Sequence, residues 1–303
     1  SGTVRDGKVV FRLKGQDYRV TMDVHQYDYA HEEDEIIELQ KAAKGRGVNV
    51  VLLGDGYDAK GISDGKLLAD MNEAMEDFFA IEPYRTYRDY FNVYTGIAVS
   101  PESGVGNVNT VVDNRFGTSA RRGVLAGASD EILEYACRMP SVDRDNLGQT
   151  LIVIVPNTSD YGSVTSLYDD GTAISYCPKR DDDYPYDFRG IVQHEAGGHG
   201  FGKLGDESIW HNAFIDACSC SCCAHVAEIN AAQAKGWYQN ISLSAREDAV
   251  PWSHLMGNDG YRNLVDIYEG ASGHSRGVWR SEYNSCMNNY IPYYNTVSRE
   301  AIV

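Results

Sequence analysis

The stretch His194-Glu195-Ala196-Gly197-Gly198-His199 constrains this 303-residue chain more than any other. Two imidazoles flanking a glutamate on one helix are the means by which the H-E-x-x-H pattern holds zinc, with the glutamate as general base. Here the spacing is H-E-x-x-x-H, one residue longer. At about 100° per residue, helix positions four apart share a face, whereas positions five apart diverge by roughly 140°. A regular α-helix would turn His199 away from His194. A one-residue π-bulge restores the convergence, and such bulges concentrate at functional sites. Gly197 and Gly198 each cost about 1 kcal/mol in a helix interior relative to Ala. They also let the backbone loosen locally. The segment therefore predicts a widened turn with both histidines on one side.

Catalytic zinc takes three protein ligands and keeps one position open. Asp206 lies seven residues beyond His199, after a turn that Gly202 permits, and is the preferred third ligand. Glu207 is its close alternative, and either acid could instead cap or solvate a turn. His211 is the one further histidine near enough in sequence to substitute. With Zn2+ on His194, His199 and Asp206, Glu195 is the expected catalytic residue. It would accept a proton from a zinc-activated water and deliver it to the leaving amine.

The run from His194 to Glu207 resembles the immunoglobulin-A-peptidase family of bacterial zinc metallopeptidases, whose helix reads H-E-x-G-H followed by Phe, Leu and Asp-Glu. Further landmarks occur in order: Leu53-Gly54-Asp55-Gly56-Tyr57, Phe91 to Tyr94, Ser100 to Gly104, Tyr268 to Ala271, and Trp279 to Met287. The departure is the extra residue before His199; a similar stretched motif ending Gly-His occurs in the dipeptidyl-peptidase-III family. In zincins with H-E-x-x-H-x-x-G-x-x-H/D the third ligand falls six residues past the second histidine. Gly205 occupies that slot here, so the downstream spacing is stretched too.

The resemblance implies an α/β, metzincin-like three-layer sandwich with a mostly parallel twisted sheet. It also implies zinc, endopeptidase action on a polypeptide substrate, and an extracytoplasmic bacterial setting (secreted, periplasmic or cell-surface). It carries the metal-ligand roles to His194, His199 and Asp206 and the base role to Glu195. Met287 would be the methionine turn beneath the metal, with Met256 as rival. Tyr290 is a candidate to stabilise an oxyanion. Two other classes stay open, a zinc hydrolase of non-peptide amides or esters and an inactive zincin-like binding protein.

The rest of the chain fits one large domain. Val48 to Leu53 and Leu151 to Pro156 are continuous apolar runs, expected for strands buried on both faces. Residues 67–81 and 130–139 carry helical spacing, the second with Ser129 as its expected N-cap. Residues 163–168 and 172–176, around Asp169-Asp170-Gly171, predict a hairpin at a sheet edge. Residues 1–45 predict a separate β segment and linker: strands at 9–13 and 18–24, then an acidic, helix-prone connector from Glu32 to Lys44. They read as the remnant of a truncated domain or as a flap, leaving 46–303 as the catalytic domain.

Net charge is −17, from 27 Lys and Arg against 44 Asp and Glu, which argues against nucleic acid as a partner. No apolar stretch is long enough for a membrane-spanning helix, and no N-terminal export signal is recognisable. Cys218, Cys220, Cys222 and Cys223, followed by His225, form a C-x-C-x-C-C run that lacks the C-x-x-C knuckles of structural zinc sites. A disulfide, free thiols and a metal site remain open there.

Overall fold

The computed structural model describes residues 31–215 and 223–303, together with three strands near the N-terminus. These strands, β1 (Thr3–Arg5), β2 (Lys8–Leu13) and β3 (Gln16–Thr21), form an antiparallel sheet in that order. The expected pair of strands thus has a third on its edge. By its contacts the chain divides into Ser1–Ala30 and His31–Val303. This contact boundary precedes the linker that the sequence extends to residue 45. The acidic connector is no helix but contains strand β4 (Ile36–Gln40), antiparallel to the main sheet. Its Ile36 and Ile37 supply apolar side chains to the two faces of that sheet, and this cross-strand packing outweighs the weak helix preference of the glutamates.

The principal sheet combines β4 with β5 (Val48–Asp55), β6 (Phe91–Gly96), β10 (Leu151–Pro156), β11 (Val164–Leu167) and β12 (Ala173–Tyr176). The order is β11-β12-β10-β5-β6-β4, with the four central strands parallel and both edge strands antiparallel. Three short strands, β7 (Gly106–Asn107), β8 (Ser119–Arg121) and β9 (Val124–Ala126), make a small separate sheet. The apolar runs are central because a strand covered on both faces tolerates no polar side. Val50, Leu52, Leu151 and Val153 face one core, shared with the helix Lys66–Phe79, Met287 and Tyr294. Val51, Leu53, Ile152 and Ile154 face the other, which includes Ile132 and Tyr135 of the helix Ser129–Ala136. Ser129 is the first residue of that helix and not its cap; its hydroxyl accepts instead from the Tyr168 phenol at 2.7 Å.

The C-terminal part contributes β13 (Ile209–Phe214), β14 (Ile241–Ser242), β15 (Tyr268–Ala271) and β16 (Gly273–Arg280), all paired to β16. Among the described residues no helix is long and apolar enough to cross a membrane. The Cys218–Cys222 portion of the cysteine run lies outside the described residues. Cys223 opens the helix Cys223–Ala234.

On the first core, Asp77 of the helix Lys66–Phe79 is pushed up to about 6 by burial and the neighbouring Glu73, despite the opposing charge of Arg189. Its folded value lies above the ordinary carboxylate value, so the folded chain binds the proton more tightly. That contribution to stability is full below about pH 4 and is lost as pH rises through about 6. The variant Asp77→Asn should therefore gain thermal stability relative to wild type between pH 4 and pH 7. Paired melting curves across that range check it; a constant difference would contradict it.

Candidate metal centre

The helix that begins as α over Phe188–Ile191 continues as π over Val192–Phe201. The extra residue is absorbed by a ten-residue π segment, more than the single bulge expected from the spacing. In i→i+5 winding, residues five apart fall about one turn apart, so His194 and His199 come to the same side. Their ring centres lie 4.8 Å apart with planes at 86°.

Winding of this kind needs support, and buried tyrosines provide it. The Tyr84 hydroxyl donates to the Gly197 carbonyl at 2.6 Å, and that of Tyr294 donates to the Gln193 carbonyl. Gln193, fully buried, is held by Arg189 Nη1 at 2.7 Å and donates to the Asp77 carbonyl at 2.9 Å. The glycines leave room for this packing. A Cβ on Gly197 would meet the Tyr294 hydroxyl at 2.4 Å, and one on Gly198 would meet Met287 Sδ at 2.1 Å.

Among the described residues, one group of three brings potential ligand atoms within 4.8 Å of one another: His194, His199 and Asp206. Each histidine has one nitrogen already engaged. His194 Nδ1 lies 3.0 Å from the Cys286 carbonyl, and His199 Nδ1 lies 2.8 Å from that of Leu204. A carbonyl only accepts, so each Nδ1 carries the proton and each Nε2 keeps a lone pair. Burial, with the adjacent His199, also lowers the His194 pKa and favours its neutral, ligating form. Both hydrogen bonds of Asp206 to Ser208 engage Oδ1, from the amide at 2.9 Å and the hydroxyl at 2.5 Å. The donor set thus fits a divalent cation: two neutral imidazoles fixed by backbone carbonyls and one acid.

Glu207, the alternative third ligand, points elsewhere. It is fully buried and accepts from Asn240 Nδ2 and Asn295 Nδ2, both at 2.8 Å, and from the Ser285 hydroxyl. Burial pushes its pKa up to about 7, against the pull of these donors and of Arg280. Glu207 N donates to the Met287 carbonyl at 2.8 Å. Asn240 also exchanges two 2.8 Å hydrogen bonds with the backbone of Gly205. Glu207 therefore ties the Asp206 loop to the segment Ser285–Met287. That segment meets His194 through the Cys286 carbonyl and Gly198 through the Met287 side chain. Met256 packs instead in a separate cluster with Val250 and Trp252.

Glu195 lies beside the two histidines, its Oε2 accepting from Thr165 Oγ1 of β11 at 2.9 Å. Its carbonyl accepts from the Ser175 hydroxyl at 3.2 Å. Tyr290 stacks on the His194 ring at 4.1 Å and 9°. Burial, with Glu195 and Asp206 nearby, holds its phenol pKa well above the ordinary value, so it stays a donor. These groups share a cleft of about 410 Å³ with Trp210, His225 and Glu228. His211 is exposed on β13 and is not part of the three-residue group.

Sequence patterns located His194, Glu195, His199 and Asp206 but missed Thr165, Asn240, Ser285 and Asn295. Nothing local marks these four: each is a common polar residue whose partner lies 30 to 88 positions away.

The donor set and adjacent carboxylate define a site able to hold a metal ion beside a proton acceptor. A family model for IgA Peptidase M64 matches residues 37–218, more than half of the chain and including all four of these residues. The chain belongs to the IgA peptidase M64 family, a metallopeptidase family, and is a peptidase. No curated protein sequence matches it.

Replacing Glu207 by Ala strips the acceptor from three buried donors at once. We expect destabilisation by about 3 kcal/mol and a loss of metal affinity of roughly 10–100-fold. Denaturant titration and metal-competition assays check this; unchanged affinity would show that the loop holds Asp206 without Glu207.

Proposed function

We propose that this chain is a zinc-dependent endopeptidase with His194, His199 and Asp206 as metal ligands and Glu195 as general base. The observation that carries the reading is the convergence of two singly engaged imidazoles and one carboxylate beside a second carboxylate in an open cleft. All-oxygen sites suit magnesium or calcium, whereas two imidazoles with a single acid suit zinc. Bound there, zinc would supply Lewis acidity, polarising a peptide carbonyl and acidifying a water.

The protein's own groups do the rest. Glu195 Oε1 or Oε2 accepts the proton of the attacking water and returns it to the leaving nitrogen. The Thr165 hydroxyl orients that carboxylate from the strand above it. The protonated Tyr290 phenol, stacked beside His194, would donate to oxygen as negative charge develops there. Strand β11 is an edge of the principal sheet, and Ser163, Val164, Thr165 and Leu167 line the cleft. An extended polypeptide adding to this edge would be held by its backbone, with little demand on sequence.

A metzincin-like sandwich accords with the parallel sheet behind the histidine helix and with Met287 packed under Gly198. An extracytoplasmic bacterial location is proposed from the family resemblance. Intact Glu195 favours a hydrolase over a zincin-like binding protein, which needs no base.

The test is cleavage of a denatured-protein peptide mixture by wild type and Glu195→Ala, with bound zinc measured in both. We expect zinc to be retained and turnover to fall by at least about 10²-fold. Cleavage at the wild-type rate by the variant would remove Glu195 from the mechanism. Hydrolysis of esters or simple amides, with peptides left uncut, would move the activity to a non-peptide hydrolase.

A further inference from the structure

A second set of histidines converges outside the group described above. His274 of β16 lies with its ring centre 5.5 Å from that of His225, the planes at 79°. His211 sits opposite His274 in the β13–β16 register, its ring centre 6.2 Å away. We propose that His274 and His225 supply two protein ligands to a second divalent metal ion of the zinc type; His211 does not bring a ligand atom within reach of both.

His274 is fully buried, and its Nδ1 lies 2.7 Å from the Ser272 carbonyl. That carbonyl only accepts, so Nδ1 carries the proton and Nε2 presents a lone pair. Nε2 of His274 and Nδ1 of His225 are both buried with no hydrogen-bond partner among the described residues. Each such orphan costs about 1–3 kcal/mol, and folded proteins seldom keep two in adjacent rings without something between them.

The geometry points to what lies between them. Two imidazoles on one tetrahedral zinc, with Zn–N near 2 Å, place their ring centres roughly 5 Å apart. The His225–His274 pair matches this in distance, as does the His194–His199 pair at 4.8 Å. The hydrogen bond from Nδ1 to a backbone carbonyl is common to His194, His199 and His274. It is the usual device that fixes a ligating imidazole. A donor set of imidazoles suits zinc over magnesium or calcium. His225 also lines the cleft that holds His194 and Asp206, so an ion there would sit at the wall of the candidate active site.

The test counts metal, independently of turnover. Chelator-stripped full chain is titrated with zinc under reducing conditions, and bound zinc per chain is read by native mass spectrometry. Wild type should take two equivalents, and His194→Ala/His199→Ala should keep one. Adding His274→Ala to that pair should remove the remaining equivalent. Adding His225→Ala instead, at a half-buried position in the first turn of a helix, should weaken it by at least about 10-fold with the circular dichroism unchanged. A wild type that binds one equivalent, or an equivalent that survives both substitutions on other donors, overturns the assignment. Loss of one equivalent in His194→Ala/His199→Ala is scored separately, so failure of the first site is distinguishable from failure of the second.

Discussion

Backbone winding over Val192–Phe201 is the constraint on which the candidate site depends. Hydrogen bonds reach back five residues and, at the end, six: Gly202 N to the Gly197 carbonyl and Leu204 N to that of Gly198, each at 3.0 Å. Such winding is rare because it is less favourable than α, and Gly197, Gly198 and Gly200 together add a cost of about 3 kcal/mol. The same glycines permit contacts that any side chain would block. Tyr84, Tyr294, Met287 and Ser175 approach the helix where a Cβ would stand within 3.0 Å of them. The two tyrosine hydroxyls satisfy carbonyls in the wide turn, and the aromatic rings join a core containing Phe78, Phe91 and Phe201. Close packing from three sides makes the widened turn the stable one, and the separation of the two imidazoles follows from it.

The third proposed ligand arrives by a different route. Asp206 sits on a loop, which alone would hold it loosely. Glu207, next in sequence, anchors the loop through Asn240, Asn295 and Ser285 in the interior. Asn295 serves twice, since its Oδ1 also caps the final helix by accepting from Ser298 N at 2.8 Å. The adjacent acids thus divide the work, one facing the cleft and the other the core. The segment Ser285–Met287 touches both arms, accepting from His194 and from the Glu207 amide and filling the space under Gly198. Displacing it would disturb all three proposed ligands together.

Much of this was legible in the sequence, for definable reasons. The runs Val48 to Leu53 and Leu151 to Pro156 announce central strands because burial on both faces leaves no polar alternation. The extra residue between His194 and His199, set among glycines, announces a widened turn because helix geometry permits few others. The sequence favours Asp206 but keeps Glu207 as a close alternative, since both are acids at adjacent positions and only the distant Asn240 and Asn295 decide which turns inward. Residues 32–44 misled because local acidity suggests helix, whereas pairing of Ile36 and Ile37 with β6 is non-local. His225 stood out only as the end of the cysteine run and His274 not at all, since the two are 49 residues apart on a helix and a strand that the fold brings together.

The central claim is that the widened helix and the Glu207-anchored loop gather His194, His199 and Asp206 around one metal ion. Diffraction from zinc-loaded crystals, recorded on both sides of the zinc absorption edge, tests it directly. An anomalous peak is expected within about 2.0–2.2 Å of Nε2 of His194, Nε2 of His199 and a carboxylate oxygen of Asp206. A peak bound through Glu207, or none between the two histidines, would contradict it.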